Sequence, residues 1–393
     1  MSRAGRGGTG PVPSLVRCGD DTVVVERAWP SVRVEGDGGR VIRIEGRDRD
    51  ARLRAGRLIV SGPPNAPRHE VLLSAFGQDR KLPALREAAP EGTLVVHRLG
   101  RRAVVRQEDR FVKVLRPASA AGVGHRCRLG AEIAAAAGFV APDVLSREEG
   151  RIDLAVVPGL DLHSAGESID LLSWATAWGA WADAWPRLAR AGADRATLPA
   201  HTAEDELAGL VTWLDHTHAC AALPTLQREL VLRCRALADE LGSTTPDPAV
   251  VSHRDLHDKQ LLWDGNRIGL LDLDTLALAE PACDLANLAV HARLRTHQGL
   301  WSPNHRDVVL EHVDRVAGEL EVSSRRLQAY AEATRLRLTM LYAFRPRWAP
   351  LMSEWLHERS LTAISSESTA RAATVDESVR HPSDHPLGRK SPR

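Results

Sequence analysis

Short runs that alternate apolar and polar residues open the chain: TVVVERAW at 22–29, VIRIEG at 41–46 and RLIVSG at 57–62, with Gly-Asp-Gly-Gly at 36–39 as a turn. Alternation puts one face of each run on a core and the other in water, which predicts small β structure. After a break at SGPPNAPR (61–68), VLLSAF and LPALREAA predict one or two short helices or apolar loops, and a boundary falls near residue 90. Three further runs, TLVVHRL, RAVVRQ and RFVKVLR, follow from residue 93 with turns at Gly100-Arg101 and Glu108-Asp109, and read as a β-meander. An alanine-rich helix over 122–137, closed by Gly138, and strands near 143–146 and 151–157 complete a small lobe of order β-β-β-α-β-β. Beyond Pro158-Gly159 the period lengthens, predicting helices over 167–190, 203–217, 224–241, 281–298, 306–320 and 323–345. The division is therefore 1–90, a β-rich accessory domain; 91–158, a small lobe; 159–360, a helical large lobe; and 361–393, a Ser/Arg/Pro-rich stretch that predicts a mobile tail.

The 393 residues suit two domains or one large two-lobed unit. With 52 Lys/Arg against 51 Asp/Glu, the net charge of +1 gives no global reason to expect nucleic acid or an anionic membrane as partner. Charge is uneven locally: residues 1–116 carry 23 basic and 14 acidic groups, residues 161–250 carry 6 and 13. The plain reading of both sets is solvated surface. Five dispersed cysteines without a CxxC form neither a disulfide framework nor a zinc pattern, and a reducing cytoplasm fits them. No apolar signal region opens the chain and no run approaches eighteen apolar residues, so secretion and membrane spanning are not expected. Only four lysines stand against 48 arginines, so a lysine kept inside an apolar strand is informative.

Chemistry concentrates in residues 250–274, VVSHRDLHDKQLLWDGNRIGLLDLD, a polar loop between two apolar runs. Asp255 and Asp272 bracket the amide Gln260, and a strand-like IGLLDLD segment would present Asp272 and Asp274 on one side. Phosphoryl transfer needs such parts: a carboxylate to take a hydroxyl proton, oxygen ligands for Mg²⁺, and a cation near the nucleotide phosphates. The cation candidate is Lys113, set between Val112 and Val114, with Glu132 on the following helix as its natural partner.

On these residues the chain resembles the aminoglycoside phosphotransferase family, the small-molecule branch of the protein-kinase-like fold. The family's H-G-D-L-H-x-x-N loop and its I-D-x-D/E segment are matched here by HRDLHDKQ at 253–260 and LDLD at 271–274. The resemblance implies an α+β, two-lobed kinase-like fold with an extra N-terminal β-rich domain. It implies ATP and Mg²⁺ as cofactors, Asp255 as catalytic base, Gln260 and Asp272 as metal ligands, and Lys113 paired with Glu132 at the nucleotide. VVPGLDLH (156–163) looks like the family's hinge, and Asp284 in AEPACDLANL looks like the group that buttresses the loop. Arg254 departs from the usual Gly, and Gln260 from the usual Asn, a feature shared with maltokinase-like and glucosamine-kinase-like relatives.

The implied activity is transfer of the ATP γ-phosphate to a hydroxyl of a small molecule, a sugar, aminosugar or aminoglycoside; the alternative is a nucleotide-binding pseudokinase with a regulatory role. Other signals add little. GRGGTG at 5–10 matches a dinucleotide fingerprint without the flanking strand and helix, and no Walker-type GxxxxGK[ST] occurs. The hairpin around Leu99–Arg102 is then the expected cover over the phosphates. Trp174, Trp178, Trp181 and Trp185 share one helix face, which reads as core before it reads as a sugar-stacking wall.

Overall fold

The alternating runs at the start of the chain pair as an antiparallel sheet in the computed structural model, which describes residues 11–35, 39–62, 67–192 and 197–358. Positions 36–38 of the expected turn, the GRGGTG segment and the expected tail lie outside the described residues. The strands are β1 (Leu15–Cys18), β2 (Asp21–Glu35), β3 (Gly39–Arg47), β4 (Leu53–Ser61) and β5 (Arg68–Leu73), in spatial order of sequence. β5 takes in Val71–Leu73, where a helix or loop was expected; Val71 pairs with Leu58, because the open edge of β4 offers its backbone groups a ladder that a loop would leave to water. A short helix, α1 (Leu85–Ala88), and a 3₁₀ turn follow.

The meander forms a second sheet from β6 (Thr93–Arg98), β7 (Arg102–Arg106) and β8 (Arg110–Leu115). Helix α2 (Pro117–Ala136) follows, then β9 (Val144–Glu148) and β10 (Arg151–Ala155), giving the order β6-β7-β8-β10-β9. Leu53 of the first sheet and Leu82 and Leu85 beside α1 share one core with Leu94, Ala103, Val105, Val112 and Val114 of the second. The inward residues of β7 and β8 serve that core, which leaves the opposite face of the sheet for Arg102, Val104 and Lys113, Val104 and Lys113 being register partners.

After Gly159, whose φ of +115° sets it against the backbone of Trp263, come β11 (Leu160–Asp161) and the single turn α3 (Leu162–Ala165). The large lobe is helical: α4 (Leu171–Ala189), α5 (Ala203–Ala219) and α6 (Gln227–Ser243) precede β12 (Val250–Ser252), β13 (Leu261–Trp263), β14 (Ile268–Leu270) and β15 (Ala277–Ala279). Helices α7 (Ala282–His297), α8 (Pro303–Glu319), α9 (Ser324–Tyr342) and α10 (Met352–His357) complete it. All four tryptophans of α4 are at most 1% exposed; Trp174, Trp178 and Trp181 meet edge-on in sequence, Trp174 meets Trp301 and Trp185 meets Phe139 in the same way, so this face is core. No helix among the described residues is long and apolar enough to cross a membrane.

Candidate active site

Strand β12 delivers the chain into the loop His253–Gln260, and β14 returns it to the turn that carries Asp272 and Asp274. Three anchors hold the loop. Asp284, at the start of α7, accepts from the backbone N–H of His253 at 2.5 Å and of Arg254 at 2.8 Å. Burial raises the pKa of its carboxyl above the usual range even though these donors favour the charged form. The buried ring of His253 reaches the Leu271 carbonyl through Nε2 at 2.7 Å, tying the loop to the returning strand. Asn287 donates to the Leu256 carbonyl at 2.8 Å.

Beneath these anchors, Asp258 is fully buried and gripped at both oxygens by Arg295, at 2.8 and 3.0 Å, with His163 Nδ1 at 2.6 Å from it. Burial would raise this carboxyl, but Arg295 and His163 outweigh it and hold it well below the usual range. Neither Asp258 nor Arg295 stands out in the sequence; the only hint is an acidic residue inside a loop that must be buried.

Asp255 stands exposed on the loop, its N–H on His253 Nδ1 at 3.4 Å and its carboxylate without a hydrogen bond among the described residues. Arg254 sits in the left-handed region at φ +71°, which explains why a glycine suits this position, and its charge faces Asp205 and Glu206 of α5.

The strand expected through IGLLDLD ends at Leu270; Asp272 takes φ +52° and residues Leu273–Thr275 form a 3₁₀ turn. Both carboxylates still meet at one point, brought there by the turn rather than by pleating. Lys113, 4% exposed, places Nζ 2.6 Å from Asp274 and 3.4 Å from Asp272. Its own burial favours loss of the proton, but the two carboxylates prevail and raise its pKa above the ordinary lysine value. Asp272 answers in kind: burial works against its charge, yet Lys113, Arg102 and His253 hold its pKa at about 2. The Gln260 amide closes the group, donating from Nε2 to Asp272 at 3.4 Å.

The expected pairing of Lys113 with Glu132 is not formed. The stripe of α2 that faces the sheet and the acidic turn comprises Val123, Cys127, Gly130 and Ala134; Glu132 falls off it and is exposed. Cys127 takes the place near the ammonium, and Gly130 lets α2 approach the turn so closely that a Cβ there would lie 2.5 Å from the Leu273 carbonyl oxygen. The structure thus gathers Lys113, Gln260 and Asp272 at one place, adds Asp274, sets Asp255 on the adjoining loop, and leaves Glu132 outside.

The model of the phosphotransferase enzyme family, APH, matches residues 89–320. Among solved structures, an aminoglycoside phosphotransferase from Streptomyces rimosus is 20% identical, over 65% of this chain and 96% of its own, with a TM-score of 0.44. A choline/ethanolamine kinase family protein from Mesorhizobium loti is 18% identical over 75% and 91%, with a TM-score of 0.41. A glucosamine kinase bound to glucosamine, ADP and inorganic phosphate is 18% identical over 85% and 94%, with a TM-score of 0.43. Comparison with curated proteins returns no match. The family match spans the meander, the loop at 253–260 and most of the helical lobe, and the chain therefore belongs to the phosphotransferase enzyme family.

Proposed function

We propose that this enzyme transfers the γ-phosphate of ATP to a hydroxyl of a sugar-type acceptor, aminosugars and aminoglycosides included. The observation that carries the reading is the convergence of Lys113, Asp272 and Gln260 beside a loop on which Asp255 keeps a free carboxylate. In this reading residues 1–90 are an accessory layer, 91–158 the nucleotide-facing small lobe and 159–360 the acceptor-facing large lobe.

Asp255 accepts the acceptor's hydroxyl proton as the new oxygen–phosphorus bond forms and the bond to the ADP oxygen breaks. Nothing competes for its carboxylate among the described residues, so it is available to a substrate from solvent. Lys113 neutralises charge on the nucleotide phosphates, and because it is held by two carboxylates it keeps Asp274 when Asp272 is engaged elsewhere. Asp272 and the Gln260 amide fit Mg²⁺, since both bring oxygen donors to one point and Gln260 needs only to turn its amide to present Oε1. The metal, when bound, supplies positive charge against the phosphates. Gln260 is one methylene longer than the family's Asn and ends the 3₁₀ turn Asp258–Gln260.

The test is direct. Asp255→Ala lowers the rate of acceptor phosphorylation, followed by mass spectrometry, by about 10²- to 10⁴-fold while ATP still binds. Unchanged turnover at saturating substrate overturns the assignment.

A further inference from the structure

A cluster of arginines lies outside the groups used above, where three parts of the chain meet around one indole. Trp29 of β2 has the guanidinium carbons of Arg27, Arg98 and Arg345 at 6.0, 5.0 and 4.9 Å from its ring centroid. These come from the first sheet, from the end of β6 and from the segment after α9. The backbone fixes the meeting: Ala28 N–H donates to the Phe344 carbonyl at 3.1 Å, and Arg345 Nη1 donates to the Ala28 carbonyl at 2.6 Å. Arg102 adjoins, since it is the register partner of Arg98 across the hairpin and both side chains leave the same face of the sheet.

Charge in this cluster does not balance. Among the described residues its one carboxylate in contact is Glu45, fully buried, which pairs with Arg27 and accepts from the His97 N–H at 2.7 Å. The side chains of Arg98 and Arg102 make no hydrogen bond or ion pair among the described residues, and the Nε of each is out of water without a partner. Like charges set opposite one another on a sheet, and guanidinium nitrogens withdrawn from water without a hydrogen-bond partner, both destabilise the fold unless an anion answers them. Burial and mutual repulsion accordingly pull Arg98 down to about 10 and Arg345 to about 9.

The cluster borders the reaction site. Arg102 shares the sheet face of Lys113 and stabilises the Asp272 carboxylate; Arg27 acts on Lys259, in the loop of Asp255. Guanidinium forks match the paired oxygens of a phosphate or carboxylate, and stacking on an indole orients them for it. We propose that Arg27, Arg98 and Arg345, held around Trp29, bind an oxyanion carried by the acceptor, so that the substrate is a phosphorylated or carboxylated polyol rather than a polycation. This rests on the kinase reading of the preceding section and narrows its acceptor. The first sheet then contributes directly to acceptor recognition.

The experiment uses the full chain with ATP and Mg²⁺ and matched acceptors: glucosamine against glucosamine 6-phosphate, glucose against glucuronate, and the polycation kanamycin. An anionic member is expected to show kcat/KM about 10-fold or more above its neutral parent, equivalent to one strong charge-assisted contact. The phosphate and carboxylate arms distinguish the two sources of the oxyanion. Arg27→Gln, at a side chain 38% exposed and so compatible with folding, and Arg98→Gln are expected to remove that preference through KM rather than kcat. Equal or better use of neutral or cationic acceptors overturns the proposal and leaves the kinase reading standing. If no acceptor is phosphorylated, calorimetric titration of inorganic phosphate and glucosamine 6-phosphate into protein saturated with Mg²⁺ and AMP-PNP decides. Binding that Arg27→Gln abolishes upholds the anion site while the kinase reading fails; absence of binding to the wild type overturns the site.

Discussion

Asp274 holds the ammonium that a helical glutamate was expected to hold, and the exchange has measurable consequences at single residues. Because Lys113 Nζ lies 2.6 Å from Asp274 while Glu132 is exposed, Asp274→Ala should raise the KM for ATP. Leaving a buried charge without a partner costs about 3–5 kcal/mol, and because Asp272 stays beside the ammonium the loss of stability should fall below that range. Glu132→Ala should change neither; steady-state kinetics and urea unfolding of both variants check the contrast, and a large effect at Glu132 contradicts the geometry. Asp272 supplies a pH dependence. Its pKa is depressed from 3.8 to about 2, so the stability it contributes is complete above the unfolded value and disappears as pH falls through the folded one. Acid unfolding of the wild type should therefore steepen between these two values relative to Asp272→Asn. The role proposed for Asp255 rests on its motif. That of Asp274 was only half legible: its proximity to Asp272 could be read, but its partner could not, because ion pairing depends on which helix face meets the sheet.

Among the elements, the contact between α2 and the acidic turn positions the site. Gly130 permits it, with Leu273 backbone and side-chain atoms 2.5 and 2.7 Å from where a Cβ would stand. Gly130→Ala removes a residue of low helix propensity, yet the overpacking forces α2 away from the turn. We expect a net loss of about 1–3 kcal/mol in chemical unfolding and weakened ATP binding by titration. A variant as stable as the wild type would mean that the helix and turn do not touch as described. Strand and helix identities along the meander and the large lobe followed from period and punctuation. The short strands β11, β12, β13 and β15 and the short helices α3 and α10 did not; nor did β5, which forms because the edge of β4 is open, nor the end of β14, where Asp272 adopts a left-handed conformation that no local pattern announces.

Across the whole molecule, the first sheet is joined to the rest at several places, Glu45 accepting from the His97 N–H among them. Leu53 enters the core beneath the meander, and Ala28 exchanges hydrogen bonds with Phe344 and Arg345 of the large lobe. A layer coupled through shared apolar core and backbone hydrogen bonds has little independent stability. Differential scanning calorimetry is expected to give one transition that includes the first sheet; a separate, earlier transition with amide exchange confined to residues 15–73 would contradict this coupling. The same junction gathers arginines at Trp29, so the architecture that stabilises the sheet also builds the anion site.

The amino-acid order alone determined the α+β class, the meander and the residues of the 253–260 loop, because period, turn chemistry and a short motif are local and survive translation into structure. It determined equally that the tryptophan face of α4 is apolar enough to be core. What tertiary structure decided were the pairings between distant segments: Lys113 with Asp274 across 161 positions, Arg295 under Asp258, and Arg345 against Ala28 across 317. Such pairings follow from how helices seat on sheets. A charged side chain joins whichever partner that seating brings within reach, and no property of its sequence neighbours encodes the choice.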